Sequence, residues 1–171
     1  MHRLTSAIDR LSAGVGLLGA TLVIPLALIM SYEVLARYLL DLPTFWAYEF
    51  AYMLTGSHFA LGIALVTLKG QHIRVDFLHA HFPRRVQAAI DLAVLVLALL
   101  PVVAWTSWGL LDYAWDSYRL DELSGESAWN PLVWPVKLTI AMGFVFFSLQ
   151  LFAEIIKAAA CVFGRADGVD P

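Results

Sequence analysis

The sequence predicts an all-α membrane protein: four transmembrane helices with both termini on the cytoplasmic side, and a short cytoplasmic interfacial helix between the second and third spans. Three observations predict it. Of 171 residues, 60% are hydrophobic and 15% charged, with a mean hydropathy of +0.73, well outside the balance of soluble domains. Residues 11–32, 50–68 and 92–111 carry no charged side chain, and 127–153 carries only Lys137; each run approaches the roughly 20 residues a helix needs to cross about 30 Å of hydrocarbon. Lysine and arginine alternate across these runs. Arg3, Arg10, Lys69, Arg74, Arg84, Arg85, Lys157 and Arg165 fall on one side and Arg37 and Arg119 on the other, which sets the first side as cytoplasmic.

The runs are apolar all round rather than alternating, which excludes the strands of a β-barrel. With spans at about 11–36, 45–68, 87–112 and 131–157, only short connections remain. The chain reads as one transmembrane domain over residues 1–171, without a soluble domain in which to build an enzyme core.

In the first span, Arg3 and Arg10 precede an apolar run too long for a signal-peptide core, so it reads as a membrane helix. Gly14, Gly16 and Gly19 have the spacing of a dinucleotide-binding turn but lie inside a lipid-length run, where small residues let another helix approach. Pro25 predicts a kink. Glu33 and Arg37 are four apart, on one helical face at the outer end.

The second span is preceded by Trp46 and carries Glu49 about one turn in. Gly56, Ala60 and Ala64 form a small-residue stripe whose neighbour is either in this chain or in another subunit. His58 is the one histidine inside a span and reads as a satisfied polar residue rather than a haem ligand, since haem held between helices needs two facing donors.

In the connection K-G-Q-H-I-R-V-D-F-L-H-A-H-F-P-R-R, residues 69–85, Ile73, Val75 and Phe77 alternate as in a strand, while Asp76 suits the cap of a short interfacial helix at 77–82 before Pro83 opens the third span; the helix is the preferred reading. His72, His79 and His81 lack the Cys or carboxylate partners of a metal site.

The third span leads into an acidic outer connection in which Asp112, Asp116, Asp121, Glu122 and Glu126 face a single Arg119. The fourth carries Lys137 at a depth similar to that of Glu49. Either both snorkel to water, or Glu49 pairs with Lys137 or Arg37 and fixes the outer ends of the bundle. All six Trp and all six Tyr are expected in or near the outer half, as an interfacial belt. The single Cys161 excludes an internal disulfide. No nucleophile beside a base, phosphate loop or zinc-protease motif is present, so the chain reads as a non-enzyme with no cofactor.

The run E-V-L-A-R-Y at 33–38, L-P-T-F-W-A-Y-E at 42–49, Gly62, and G-Q-H-I-R-V-D at 70–76 resemble the small permease subunit of tripartite ATP-independent periplasmic (TRAP) transporters, the DctQ-like proteins. The distinctive motifs cover residues 33–76; the later half agrees in hydropathy and topology, and Asp41 and Lys137 depart from the pattern. The resemblance implies a bacterial or archaeal inner-membrane complex. A DctM-like large permease subunit holds the substrate and ion sites, and a DctP-like periplasmic binding protein delivers an organic acid. Uptake is driven by an ion gradient, usually sodium. The small subunit is a non-catalytic scaffold. Glu33, Arg37, Trp46, Glu49, Gly56, Ala60, Gly62, Gly70, His72, Arg74, Asp76 and Lys137 are the residues expected to serve structure or subunit contact. Two readings from other classes stand beside it: a stand-alone proton-coupled exporter using Glu49, and a membrane redox subunit using His58.

Overall fold

Proline and glycine punctuate long apolar helices in the computed structural model, which describes residues 2–70 and 84–163. The interfacial helix expected at 77–82, with His72, Arg74, Asp76, His79 and His81, and the tail from 164 onward lie outside the described residues. The helices are α1 (His2–Thr21), α2 (Val23–Leu39), α3 (Ala47–Leu68), α4 (Arg84–Val94), α5 (Leu100–Arg119) and α6 (Trp134–Phe163). Four helical stretches are long and apolar enough to cross a membrane: Arg3–Leu39, Ala47–Leu68, Ala89–Arg119 and Trp134–Ala160. No strand interrupts them among the described residues.

The breaks within spans have chemical causes. Pro25 has no N–H to offer the carbonyl one turn earlier, so the helix halts at Thr21. The Leu22 N–H turns to Gly19 O (3.2 Å), and the ladder resumes with Leu26 N–H on Leu22 O (3.2 Å). Pro101 acts similarly. The turn before it, Leu95–Leu99, widens into a π-helix in which Leu100 N–H reaches Leu95 O, joining α4 to α5.

Helix ends are closed by left-handed residues. Asp41 (φ 53°) follows α2, with Leu42 N–H on Ala36 O at 3.0 Å; Asp121 (φ 46°) follows α5, with Glu122 N–H on Ser117 O at 3.1 Å. The closure at Asp121 is a Schellman motif and the one at Asp41 is a residue wider; in both, aspartate takes the left-handed position that glycine usually fills. Gly70 (φ 62°) closes α3. The position of α5's closure corrects one expectation. Asp112 and Asp116 belong to α5 rather than to the acidic connection, because the helical ladder continues to Leu120 N–H on Asp116 O (3.0 Å). The connection is residues 120–133, pinned by an isolated bridge between Leu123 and Leu132.

α3 and α6 form the centre. α1 packs on both, α2 on α3, and α4 and α5 on α6. Small residues permit the approach: a Cβ on Gly143 would stand 2.5 Å from Ala60 O, and one on Gly16 would overlap the Leu65 side chain. α5 runs antiparallel to α6, with Ser107 Oγ 3.0 Å from Ser148 Oγ. Beneath that pair, Val103, Phe147 and Leu151 make the apolar core with Ile63, Leu95, Leu100 and Phe144. Trp105 and Trp108 flank Ser107 on α5, which faces Ser148 about halfway along α6.

Candidate functional site

Each end of the bundle is fastened by a cluster of charged side chains. At the end that holds residues 40–46 and 120–133, here the loop end, the helical spacing of Glu33 and Arg37 puts both on one face of α2. Glu33 is only 6% exposed, yet all its acceptor capacity is used. Oε1 accepts from Arg37 Nε at 2.8 Å and from Arg37 Nη2, while Oε2 accepts from Thr44 N–H at 3.1 Å and from the Thr44 hydroxyl. One carboxylate thus ties the end of α2 to the connection leading into α3. Trp46 sits at the start of α3 with its ring stacked on Tyr32, centroids 6.3 Å apart.

Glu49 enters from the first turn of α3 and is 1% exposed. Its Oε2 accepts from the Ser127 hydroxyl, and its Oε1 has no hydrogen-bond partner among the described residues. Ser127 Oγ also takes the Trp129 N–H at 3.1 Å, and the Trp129 ring lies 5.7 Å from Phe50. The connection 120–133 is thereby folded down over α3.

Lys137, on the first turns of α6, donates to Glu122 Oε2 at 2.5 Å and stands 3.6 Å above the Tyr113 ring. The pairing of Glu49 with Lys137 or Arg37 is therefore replaced: each cation has another carboxylate, and Glu49 has a hydroxyl. Glu122 lies in the connection, and the Lys137 ammonium holds its carboxyl below the usual range.

The small-residue stripe meets this chain's own α6. Ala60 lies under Gly143, a Cβ on Gly56 would stand 3.5 Å from Ile140 Cδ1, and Ala64 is fully buried. Gly62 faces open space. His58 departs from its expected satisfaction, because its Nδ1 is buried without a hydrogen-bond partner among the described residues and its ring leans on Phe59 at 4.6 Å. Among the described residues, no three His, Cys, Asp or Glu side chains gather in a group that could hold a metal ion.

The opposite end carries a cluster that the sequence pattern did not foreshadow as a whole. Gln150 Nε2 donates to Asp9 Oδ1 and Glu154 Oε1, both at 2.9 Å, and Lys157 Nζ donates to the same two oxygens, both at 2.8 Å. Gly16 meets Leu65 near the end of α3, so this cluster lies beyond that end and fastens α1 to α6 where α3 no longer separates them. Its signal was available in part: Gln150, Glu154 and Lys157 recur at four and three residues on one face. Asp9, 141 residues from Gln150, had no such signal.

The model of the family described as tripartite ATP-independent periplasmic transporters, DctQ component, matches residues 26–161. The chain is also similar to the sialic acid TRAP transporter permease protein SiaT of Haemophilus influenzae (strain 86-028NP), at 28% identity over 134 residues. That match covers 78% of this chain and 22% of the relative, so the chain spans about a fifth of the length of the curated relative it matches.

Proposed function

We infer the role of this chain from a plain premise: it belongs to the DctQ component family of tripartite ATP-independent periplasmic transporters, and is a multi-pass membrane protein of a transport system rather than a catalyst. We propose that it is the small, non-catalytic subunit that braces a large permease subunit in a bacterial or archaeal inner membrane. The large subunit carries out ion-coupled uptake, with sodium as the coupling ion, of an organic acid handed over by a periplasmic binding protein. Both termini face the cytoplasm and the loop end faces the periplasm, as the Lys and Arg distribution requires.

The observation that carries this reading is that clusters of charged groups at both ends tie the chain's own elements to one another. Glu33 accepts four hydrogen bonds from Arg37 and Thr44, Lys137 is held by Glu122 and Tyr113, and Asp9 and Glu154 share Lys157. Between these fastenings α3 and α6 touch at Gly143 and Ala60. Transport sites use interrupted helices whose ends point at substrate near the midplane; here the central pair, α3 and α6, runs without a break. Such a chain suits a fixed brace. The relative is named for sialic acid, an acidic sugar, which supports an organic acid as cargo.

Reconstitution tests the role. Proteoliposomes holding the large subunit and this chain, supplied with the binding protein and a sodium gradient, are expected to accumulate the acid; vesicles holding this chain alone are expected not to. A second reading, proton-coupled export through Glu49, draws on that residue's unpartnered Oε1. It requires Glu49→Gln to abolish transport, whereas the brace reading predicts that uptake by the complete transporter survives this change.

A further inference from the structure

Resting on the role just proposed, we propose that the outward face of α5 seats on the membrane helices of the large permease subunit, where Asp112 meets a basic or hydrogen-bond-donating side chain. Trp105, Trp108, Asp112, Asp116 and Arg119 recur at three and four residues and so share one face. It is opposite the face that carries the buried Val103, Ser107 and Ala114. Trp105 is 80% and Trp108 75% exposed. The carboxylates of Asp112 and Asp116 meet no hydrogen-bond or ion-pair partner among the described residues.

Depth makes this exposure informative. Ser107 bonds Ser148, and Ala114 lines a groove together with Leu138, so Asp112 lies opposite the part of α6 between those residues. The same part of α6, at Ile140 and Gly143, packs on Gly56 and Ala60 in the middle of α3. Asp112 is therefore held at the depth of the bilayer interior, where an ionisable side chain faces protein or a water-filled space rather than lipid.

The other outward face of the bundle gives the contrast. Along α1 and α2, Leu17, Leu18, Ile24 and Leu28 are all more than half exposed and all aliphatic, a surface suited to lipid. The α5 face is shaped as well as polar. Gly109 lies in it, and a side chain there would find nothing within 4 Å of its Cβ, which leaves room for close approach. Grooves of about 600 and 320 Å³ open on either side, beside Trp115 and Trp105. Gly14 and Gly62 also face open space, but their exposed neighbours Leu17, Leu18 and Phe59 are apolar. Exposed tryptophans beside grooves are what anchor residues of an interface look like before the partner arrives. A second copy fits poorly: a two-fold axis along the membrane normal would set Asp112 against Asp112 at equal depth.

The test is photo-crosslinking in the full chain co-expressed with an epitope-tagged large permease subunit. Benzoylphenylalanine replaces Trp105 or Trp108 and, as comparison, Leu17 or Leu28. Adducts carrying the tag are expected from the first two positions and not from the others. Asp112→Leu is expected to reduce the tagged subunit recovered with this chain by roughly tenfold or more, while Leu28→Ala leaves recovery unchanged. Adducts only from Leu17 or Leu28, adducts joining two copies of this chain, or none from Trp105 and Trp108 although the subunits copurify would each overturn the α5 face and leave the brace role standing. Failure of the tagged subunit to copurify at all would overturn both.

Discussion

Among the described residues, Ser127 is the only donor to the buried Glu49 carboxylate, which makes it an informative residue to change. Ser127→Ala leaves Glu49 buried with neither oxygen bonded, and is expected to lower stability in detergent by about 1–3 kcal/mol. Adding Glu49→Leu removes the uncompensated group and is expected to recover much of that loss, so chemical unfolding of the two single variants and the pair should be strongly non-additive. Glu122 gives a pH-dependent counterpart. Its folded carboxyl titrates below the usual range because Lys137 stabilises the anion, so the pair's contribution is present in full above the unfolded carboxylate value. It is lost as pH falls from there through the folded value. The melting temperature of the parent chain should exceed that of Glu122→Gln at neutral pH, and the gap should close on acidification below about pH 4. A gap that widens in acid would contradict the assignment. The residue types and depths of Glu49 and Lys137 were legible in the sequence, but their partners were not. Ser127 is 78 residues from Glu49, in a connection with no periodicity to fix its path, and Glu122 is brought to Lys137 by the same loop.

Among the elements, α3 and α6 depend on one another most closely. Gly143→Leu places a branched side chain against the backbone of Ala60, which a helix cannot move aside. It is expected to destabilise the isolated chain by about 1–3 kcal/mol or more. Gly109→Leu, where an added Cβ meets nothing within 4 Å, is expected to change the chain's own stability by under about 1 kcal/mol. Parallel denaturation of the two variants checks this, and equal losses would mean that α5 is not free on that side. The break before Pro25 was legible because a missing N–H acts locally, whatever the helix packs against. The end of α5 was not. Asp112 and Asp116 read as loop because charge in a membrane sequence is ordinarily taken to mark water, whereas here it marks a face of the helix itself. The four spans were clear because lipid demands long apolar helices; the cluster of Asp9 with Gln150 and Lys157 was not, since only the packing of α1 on α6 brings it together.

At the scale of the whole molecule, charges fasten each end of the bundle, close packing of α3 on α6 fills its middle, and α5 presents a polar, aromatic surface at the depth of that middle. That build, ends fastened and middle closely packed, is what the proposed brace role asks of a member of the DctQ component family. The family was legible at 33–76, where motif residues cluster, and its match extends over 26–161. The most direct test is the native mass of this chain purified in mild detergent from cells that also express the large permease subunit. The account predicts a one-to-one complex of the two subunits, with the chain alone inert in uptake; a folded oligomer of this chain that excludes the large subunit and transports without it would contradict the account.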